Sequence, residues 1–123
     1  MKKKLDKLIK DYNENGFVKL GQIVSKEYSK KLTDRALNLM SGKKRYKGMF
    51  FQLEGENGKY ENINKNSDEF VGPSKNYRKI KDLEYDNLFL RVIKNKYLRF
   101  FSNYYIGKEV SCMRAMILNK PAK

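Results

Sequence analysis

The sequence predicts one α+β domain that combines amphipathic helices with short strands. Apolar residues recur at helical spacing in four segments, and runs rich in β-branched and aromatic residues lie between some of them. With 123 residues, the chain is long enough for one domain but not for two. Nine tyrosines and seven phenylalanines make it too apolar for a disordered tail, although 34% of its residues are charged.

A first helix is predicted near the start of the chain. Four apolar residues fall at positions i, i+3, i+4 and i+7 and so share one stripe of a helix: Leu5, Leu8, Ile9 and Tyr12. Asn15-Gly16 then supplies the positive-φ residue that commonly ends a helix. The β-rich residues 17–23 predict a short strand after it.

A second helix is predicted after this strand. Ser25 is a suitable N-cap, and Glu27 places a carboxylate in the first turn. One side of the helix is apolar and carries Tyr28, Leu32, Ala36 and Leu39. Ser41-Gly42 is expected to end it, so the chain opens with helix, short strand and helix.

The middle of the chain is interrupted by glycines and rich in polar residues. Residues 49–53 predict a strand, 54–58 a turn, and about 61–73 a loop. Residues 77–81 predict a short extended segment.

Two more helices are predicted, each beginning at a capping residue. Asp86 caps the first, and Asn95 caps the second, which ends at Gly107. Their apolar residues are Leu88, Phe89, Val92 and Ile93 in the first, and Tyr97, Leu98, Phe101 and Tyr104 or Tyr105 in the second.

Residues 110–118 predict a central strand that is covered on both faces. Alternate positions are apolar on both sides: Val110, Cys112, Met116 and Leu118 on one, and Met113, Ala115 and Ile117 on the other. Only five residues follow, so we expect this chain to be part of a longer domain that supplies the missing neighbours. Cys112 is the single cysteine, which excludes an internal disulfide, and its apolar neighbours predict a buried thiol.

The absence of histidine limits the chemistry of these residues. Without an imidazole they cannot complete a Ser/His/Asp or Cys/His nucleophile, a histidine-containing zinc site or a two-His-one-carboxylate iron site. No apolar run approaches the length of a membrane span or forms the core of a signal peptide. We therefore expect a cytoplasmic protein without a membrane partner.

The net charge of +14 suggests an alternative function. Lysine and arginine interleaved with tyrosine and phenylalanine could neutralise phosphates and stack on bases, so a small basic nucleic-acid-binding module is the second hypothesis. Against it, no helix-turn-helix or RNA-recognition signature is present, and many of the lysines fall on the polar sides of predicted helices. The carboxylates Glu54, Glu56, Glu61, Asp68 and Glu69 are interpreted as exposed loop charges rather than as an acid–base pair. The glycines match no phosphate-binding loop.

Three stretches in series resemble the phytanoyl-CoA dioxygenase family. Residues 11–20 with 23–27 resemble its opening, in which a helix ends in an acidic-x-Gly-Phe/Tyr-Val step before a strand and a Ser-led helix. Residues 82–89 and Tyr105-Ile106-Gly107 resemble its middle. Residues 114–123 resemble the strand and Lys-Pro turn that directly precede its iron-binding His-x-Asp. The resemblance covers essentially the whole chain.

This resemblance implies the N-terminal part of an Fe(II)- and 2-oxoglutarate-dependent oxygenase on a double-stranded β-helix, or jelly roll. Such enzymes hydroxylate a small organic or acyl substrate and release succinate and CO2. Their iron is held by His-x-Asp and a distant His, none of which is present here. We therefore expect no catalytic or metal-binding residue in this chain, and neither Fe(II) nor 2-oxoglutarate bound to the chain alone.

Two residues of the cosubstrate pocket follow from the resemblance. Lys79 matches a lysine that contacts 2-oxoglutarate in similar proteins, and Met116 matches a methionine that lines the same pocket. An ammonium group favours a dicarboxylate, and a thioether packs against its methylenes. The alternatives are an exposed lysine in a basic run and a core methionine. Arg114 is a weaker candidate, with a structural ion pair as its default role.

Overall fold

The described residues fold into an α+β structure with four α-helices and a three-stranded antiparallel sheet. The computed structural model describes residues 2–55 and 70–120. Within them the elements are, in order, α1 (Lys2–Asn15), α2 (Lys26–Met40), β1 (Phe51–Leu53), β2 (Tyr77–Lys81), a 3-10 helix (Leu83–Tyr85), α3 (Asn87–Ile93), α4 (Lys96–Tyr105) and β3 (Met116–Leu118). The predicted α+β class is confirmed.

The helices begin and end where local sequence signals place them. The Ser25 side chain accepts a hydrogen bond from the N–H of Tyr28 at 3.1 Å, Asp86 caps α3, and Asn95 caps α4. Gly16 ends α1 with a φ of 73°. These predicted boundaries are confirmed because capping depends on residues within one turn of the helix end.

The sheet has the order β1–β2–β3, and its register contains one irregularity. Phe51 faces Ile80, and Leu53 faces Tyr77, so β2 carries one extra residue, Arg78, at this point. Such a bulge shifts the alternation of side chains by one position. It explains how Tyr77 and Ile80, three residues apart, both lie in the core.

The core lies between one face of the sheet and α2. Its buried members are Leu39, Met40, Met49, Phe51, Tyr77, Ile80 and Leu83. The rings of Phe51, Phe70 and Tyr77 contact one another with centroids 5.2–5.6 Å apart. The buried Tyr77 hydroxyl donates to the Gly72 carbonyl at 2.8 Å. We call this side of the sheet the inner face.

Residues 17–23 do not form the predicted strand. Within the described part of the chain, no strand pairs with them, and Gly21 turns the backbone at a φ of 76°. The carbonyl of Ile23 accepts a hydrogen bond from the Asn95 side chain at 3.1 Å. The segment therefore connects α1 to α2 as irregular chain, because a β-rich composition without a neighbouring strand does not make a ladder.

The strand predicted at 110–118 is much shorter in the structure than expected. Only Met116–Leu118 is a strand, and in the described sheet it lies at the edge, beside β2. Just before β3, the Ala115 N–H donates a hydrogen bond to the Glu84 carboxylate at 2.9 Å, and the Ala115 carbonyl accepts one from the Leu83 N–H at 3.2 Å. At this point the chain is therefore bonded to the 3-10 helix and not to a neighbouring strand. Cys112 is exposed, which contradicts the predicted buried thiol.

The remaining predictions for the middle of the chain are tested only in part. The strand at 49–53 is confirmed in its second half, and the extended segment at 77–81 is β2. The predicted turn at 54–58 and loop at 61–73 lie mostly outside the described residues. In the described part of the chain, no helix is long and apolar enough to cross a membrane.

Candidate functional site

Lys79 and Met116 lie on the same face of the sheet. Lys79 on β2 is paired with Leu118 on β3, and Lys81 is paired with Met116. Residues two apart on a strand point to the same side, so Lys79 and Met116 are diagonal neighbours across the two strands. The two residues that the resemblance assigns to one pocket are 37 positions apart in sequence but adjacent on this face.

This face is opposite the core, and we call it the outer face. Its members are Phe50, Gln52, Lys79, Lys81, Met116 and Leu118. Met116 is 43% exposed and Leu118 is 64% exposed, whereas the inner-face residue Ile80 is fully buried. Apolar side chains at the edge of the sheet are therefore open to solvent on the outer face.

The two lysines of the outer face are in different environments. The Lys81 ammonium lies 3.8 Å from the centroid of the Phe50 ring, in a cation–π contact. Within the described residues, Lys79 forms no ion pair. Its ammonium is therefore available to an anion whose apolar part contacts Met116.

Arg114 lies in the segment before β3. Its Nε atom is 3.9 Å from Oδ1 of Asp82, and its side chain is 45% exposed. This is the structural ion pair that was its default interpretation, and an exposed pair of this length contributes little to stability. Asp82 itself has a φ of 64°, a conformation that aspartate tolerates better than most residues.

The described residues do not offer a metal site. In the ranges 2–55 and 70–120, no group of three Cys, Asp or Glu side chains could hold an ion, and the sequence has no histidine. Oε2 of Glu54 lies 3.9 Å from Nε of Arg78, so this carboxylate is in an ion pair. Glu56, Glu61, Asp68 and Glu69 lie outside the described residues. The ligands that Fe(II) requires are therefore not supplied by the part of the chain described here.

A cluster of polar side chains surrounds the buried Asp86, of which the sequence predicted only the role of Asp86 as a helix cap. Asp86 is fully buried, and its Oδ2 accepts hydrogen bonds from Arg35 Nη1 at 2.5 Å and from the Tyr46 hydroxyl at 2.6 Å. Its Oδ1 accepts from the Leu88 N–H at 2.9 Å. We call Asp86, Arg35 and Tyr46 the carboxylate cluster. It joins α2, the segment before β1 and the start of α3.

The charge of Asp86 is stabilised despite its burial. Desolvation by itself would raise the pKa of this carboxyl, but hydrogen bonds from Tyr46, Leu88 and Arg35, with the guanidinium charge, outweigh it and lower the pKa. Burial raises the pKa of Tyr46, and its hydrogen bond to Asp86 and the carboxylate charge raise it further, while Arg35 opposes the change. The cluster is thus a fully bonded anion with a structural role.

Sequence reasoning predicted Asp86 as a cap but did not find its partners. Arg35 and Tyr46 lie 51 and 40 residues before it. No spacing rule connects residues so far apart, and only the folded chain brings them together.

Comparison with known proteins assigns no family to this chain. No family model, no curated protein and no solved structure matches it. Its function has to be inferred from its residues and from the geometry of the two faces.

Proposed function

We propose that this chain is the N-terminal part of a phytanoyl-CoA dioxygenase-like, Fe(II)- and 2-oxoglutarate-dependent oxygenase. In this proposal the outer face forms one wall of the cosubstrate pocket. The complete enzyme would hydroxylate a small organic or acyl substrate and release succinate and CO2. The observation that carries the proposal is the adjacency of Lys79 and Met116 on one open face.

The chemistry of this wall suits a small dicarboxylate. The Lys79 ammonium offers charge and hydrogen-bond donors to a carboxylate. Met116, on the next strand, offers a thioether that can contact methylene groups. Arg114 is not needed for this role, because it is directed to Asp82.

The jelly-roll part of the proposal is supported by the free edge of the sheet. In the described residues β3 is paired on one side only, and its outer-face side chains are exposed. Unpaired strand edges and open apolar faces are usually covered in stable proteins. Further barrel strands would cover both.

The proposal assigns the iron ligands to a segment beyond the residues described here. The described residues do not fit the metal, so no catalytic step can be derived from them. When bound, 2-oxoglutarate supplies the two electrons that accompany hydroxylation. What this chain contributes is the position of one carboxylate at Lys79 and an apolar contact at Met116.

The first experiment is to read the encoding frame past Lys123. The proposal predicts a His-x-Asp motif within a few codons, as in the family that residues 114–123 resemble. An in-frame native stop codon directly after Lys123 would remove the chemistry and contradict the proposal.

A second experiment uses the 123-residue chain. Calorimetric titration with Fe(II) is expected to show no stoichiometric, tight binding, because the chain lacks the imidazole ligands. Tight binding of one Fe(II) per chain would show that the metal site is built differently.

A further inference from the structure

A large cleft lies beside α3 and α4, and neither Lys79 nor Met116 lines it. It has a volume of about 1020 Å³ and is enclosed by α3, α4 and the segment 108–115. Its apolar lining includes Leu90, Ile93, Leu98 and Ile106. A concave apolar site of this size can bury most of a small ligand.

The rim of the cleft is basic. Lys94, Arg99 and Lys108 contribute positive charge, and in the described part of the chain none of them forms an ion pair. Two carboxylates, Glu84 and Glu109, also line the cleft, but with Arg114 the lining has four cationic side chains, so its net charge is positive. The rim therefore favours an anion next to an apolar body.

Asn103, on the cleft side of α4, has an unusual carbonyl oxygen. Its Oδ1 is buried, and among the described residues none donates a hydrogen bond to it. A buried acceptor without a donor is costly, and few occur in stable proteins. The χ2 torsion of asparagine is soft, so a rotation can turn Oδ1 toward a donor in the cleft.

We propose that this cleft binds a small amphiphilic anion that carries a hydrogen-bond donor, such as an N-acylated amino acid. The acyl chain contacts the apolar lining, and the carboxylate lies near Arg99 at the rim. After rotation about χ2 turns Oδ1 of Asn103 into the cleft, this oxygen accepts a hydrogen bond from the ligand's amide N–H. Because that oxygen has no partner in the free chain, the bond replaces no existing protein contact. The site is separate from Lys79 and Met116 and does not depend on the oxygenase proposal.

The test compares two ligands on the 123-residue chain by NMR titration of backbone amides. N-octanoylglycine has the amide N–H, whereas N-octanoylsarcosine carries a methyl group in its place. N-octanoylglycine is expected to bind about three- to tenfold more tightly, as one neutral hydrogen bond predicts. The shifts should be concentrated in 90–115 and small in β1 and β2.

Variants locate the two polar contacts. Asn103→Leu should remove the preference for N-octanoylglycine, since the acceptor is gone. Arg99→Gln should weaken both ligands by about threefold, as expected for an exposed charge. Arg91→Gln is the matched control, because Arg91 lies on α3 against Tyr28 and does not line the cleft, and it should change neither affinity.

Four results would overturn the proposal. They are equal affinity for the two ligands, a preference that survives in Asn103→Leu, saturable shifts confined to the sheet, and no saturable shift with either ligand. The ligand comparison needs no variant, so the proposal remains testable if Asn103→Leu fails to fold.

Discussion

The inner and outer faces of the sheet are built from the same three strands but have opposite properties. On the inner face, Phe51, Tyr77 and Ile80 are excluded from water, and the nearby Asp86 has its oxygens fully engaged. On the outer face, Met116 and Leu118 are open, and Lys79 forms no ion pair among the described residues. We infer that stability depends on the inner face, whereas the outer face is available for binding.

The largest expected effect is that of truncating an inner-face aromatic residue. Phe51→Ala should lower the free energy of unfolding by about 3–5 kcal/mol, because it removes a buried ring and leaves a cavity. Urea denaturation followed by circular dichroism measures this. The outer-face control Leu118→Ala should cost about 0.5 kcal/mol. Equal costs would remove the distinction between the faces.

The next largest loss of stability is expected from breaking the carboxylate cluster. Asp86→Ala should lower the free energy of unfolding by about 3 kcal/mol, because it leaves Arg35 without its partner and removes the cap of α3. Asp34→Ala on α2 is the control, since its pair with Lys30 is exposed and should be worth about 0.5 kcal/mol. A small cost for Asp86→Ala would show that the cluster adds no stability.

Alanine substitutions at two glycines with the same backbone conformation distinguish the cost of steric overlap from the cost of backbone strain. Gly42 and Gly21 have φ values of 75° and 76°, so alanine is strained at both positions. At Gly42 a Cβ would also lie 2.7 Å from Cζ of Phe70, whereas nothing lies within 4 Å at Gly21. We expect Gly42→Ala to cost about 2 kcal/mol and Gly21→Ala about 1 kcal/mol, measured by thermal unfolding. Equal costs would mean that Phe70 moves aside freely.

The pH dependence of stability tests the charge state of the cluster. The pKa of Asp86 is lowered in the folded chain, so its contribution is present above the unfolded pKa of about 3.9 and is lost as the pH falls through the folded value. The pKa of Tyr46 is raised, so its contribution is present below about pH 10 and is lost as the pH rises through the folded value.

Urea denaturation at several pH values measures the loss of unfolding free energy at low pH, the acid limb, and at high pH, the alkaline limb. Asp86→Asn should flatten the acid limb, and Tyr46→Phe should flatten the alkaline limb. The control Asp34→Asn should leave both limbs nearly unchanged because Asp34 is exposed. An acid limb that is unchanged in Asp86→Asn would contradict the assignment of Asp86 as a stabilised anion.

Local features were predictable from the sequence, and long-range pairing was not. The caps at Ser25, Asp86 and Asn95 depend on neighbours within three residues, so the sequence contains their whole cause. The strand predicted at 17–23 did not form, and the one predicted at 110–118 formed only at Met116–Leu118, where β2 is its partner. A strand needs such a partner, and no composition rule supplies one.

The two proposed binding surfaces likewise depend on long-range contacts. Lys79 and Met116 were named from the resemblance, and their adjacency depends on the β2–β3 register. The unpartnered oxygen of Asn103 has no signature in the sequence, because its surroundings come from other parts of the fold. The bulge at Arg78 likewise follows from how β1 and β2 pair.

The most direct test of the outer face uses the longer protein with a His-x-Asp motif that the oxygenase proposal predicts. With succinate formation as the readout, Lys79→Ala should raise the KM for 2-oxoglutarate at least tenfold, as expected for the loss of a charge-assisted bond worth about 1.5–3 kcal/mol. Lys75→Ala, an exposed lysine before β2, should leave the KM unchanged. Equal KM values for Lys79→Ala and the unaltered enzyme would contradict the assignment of this face to the cosubstrate.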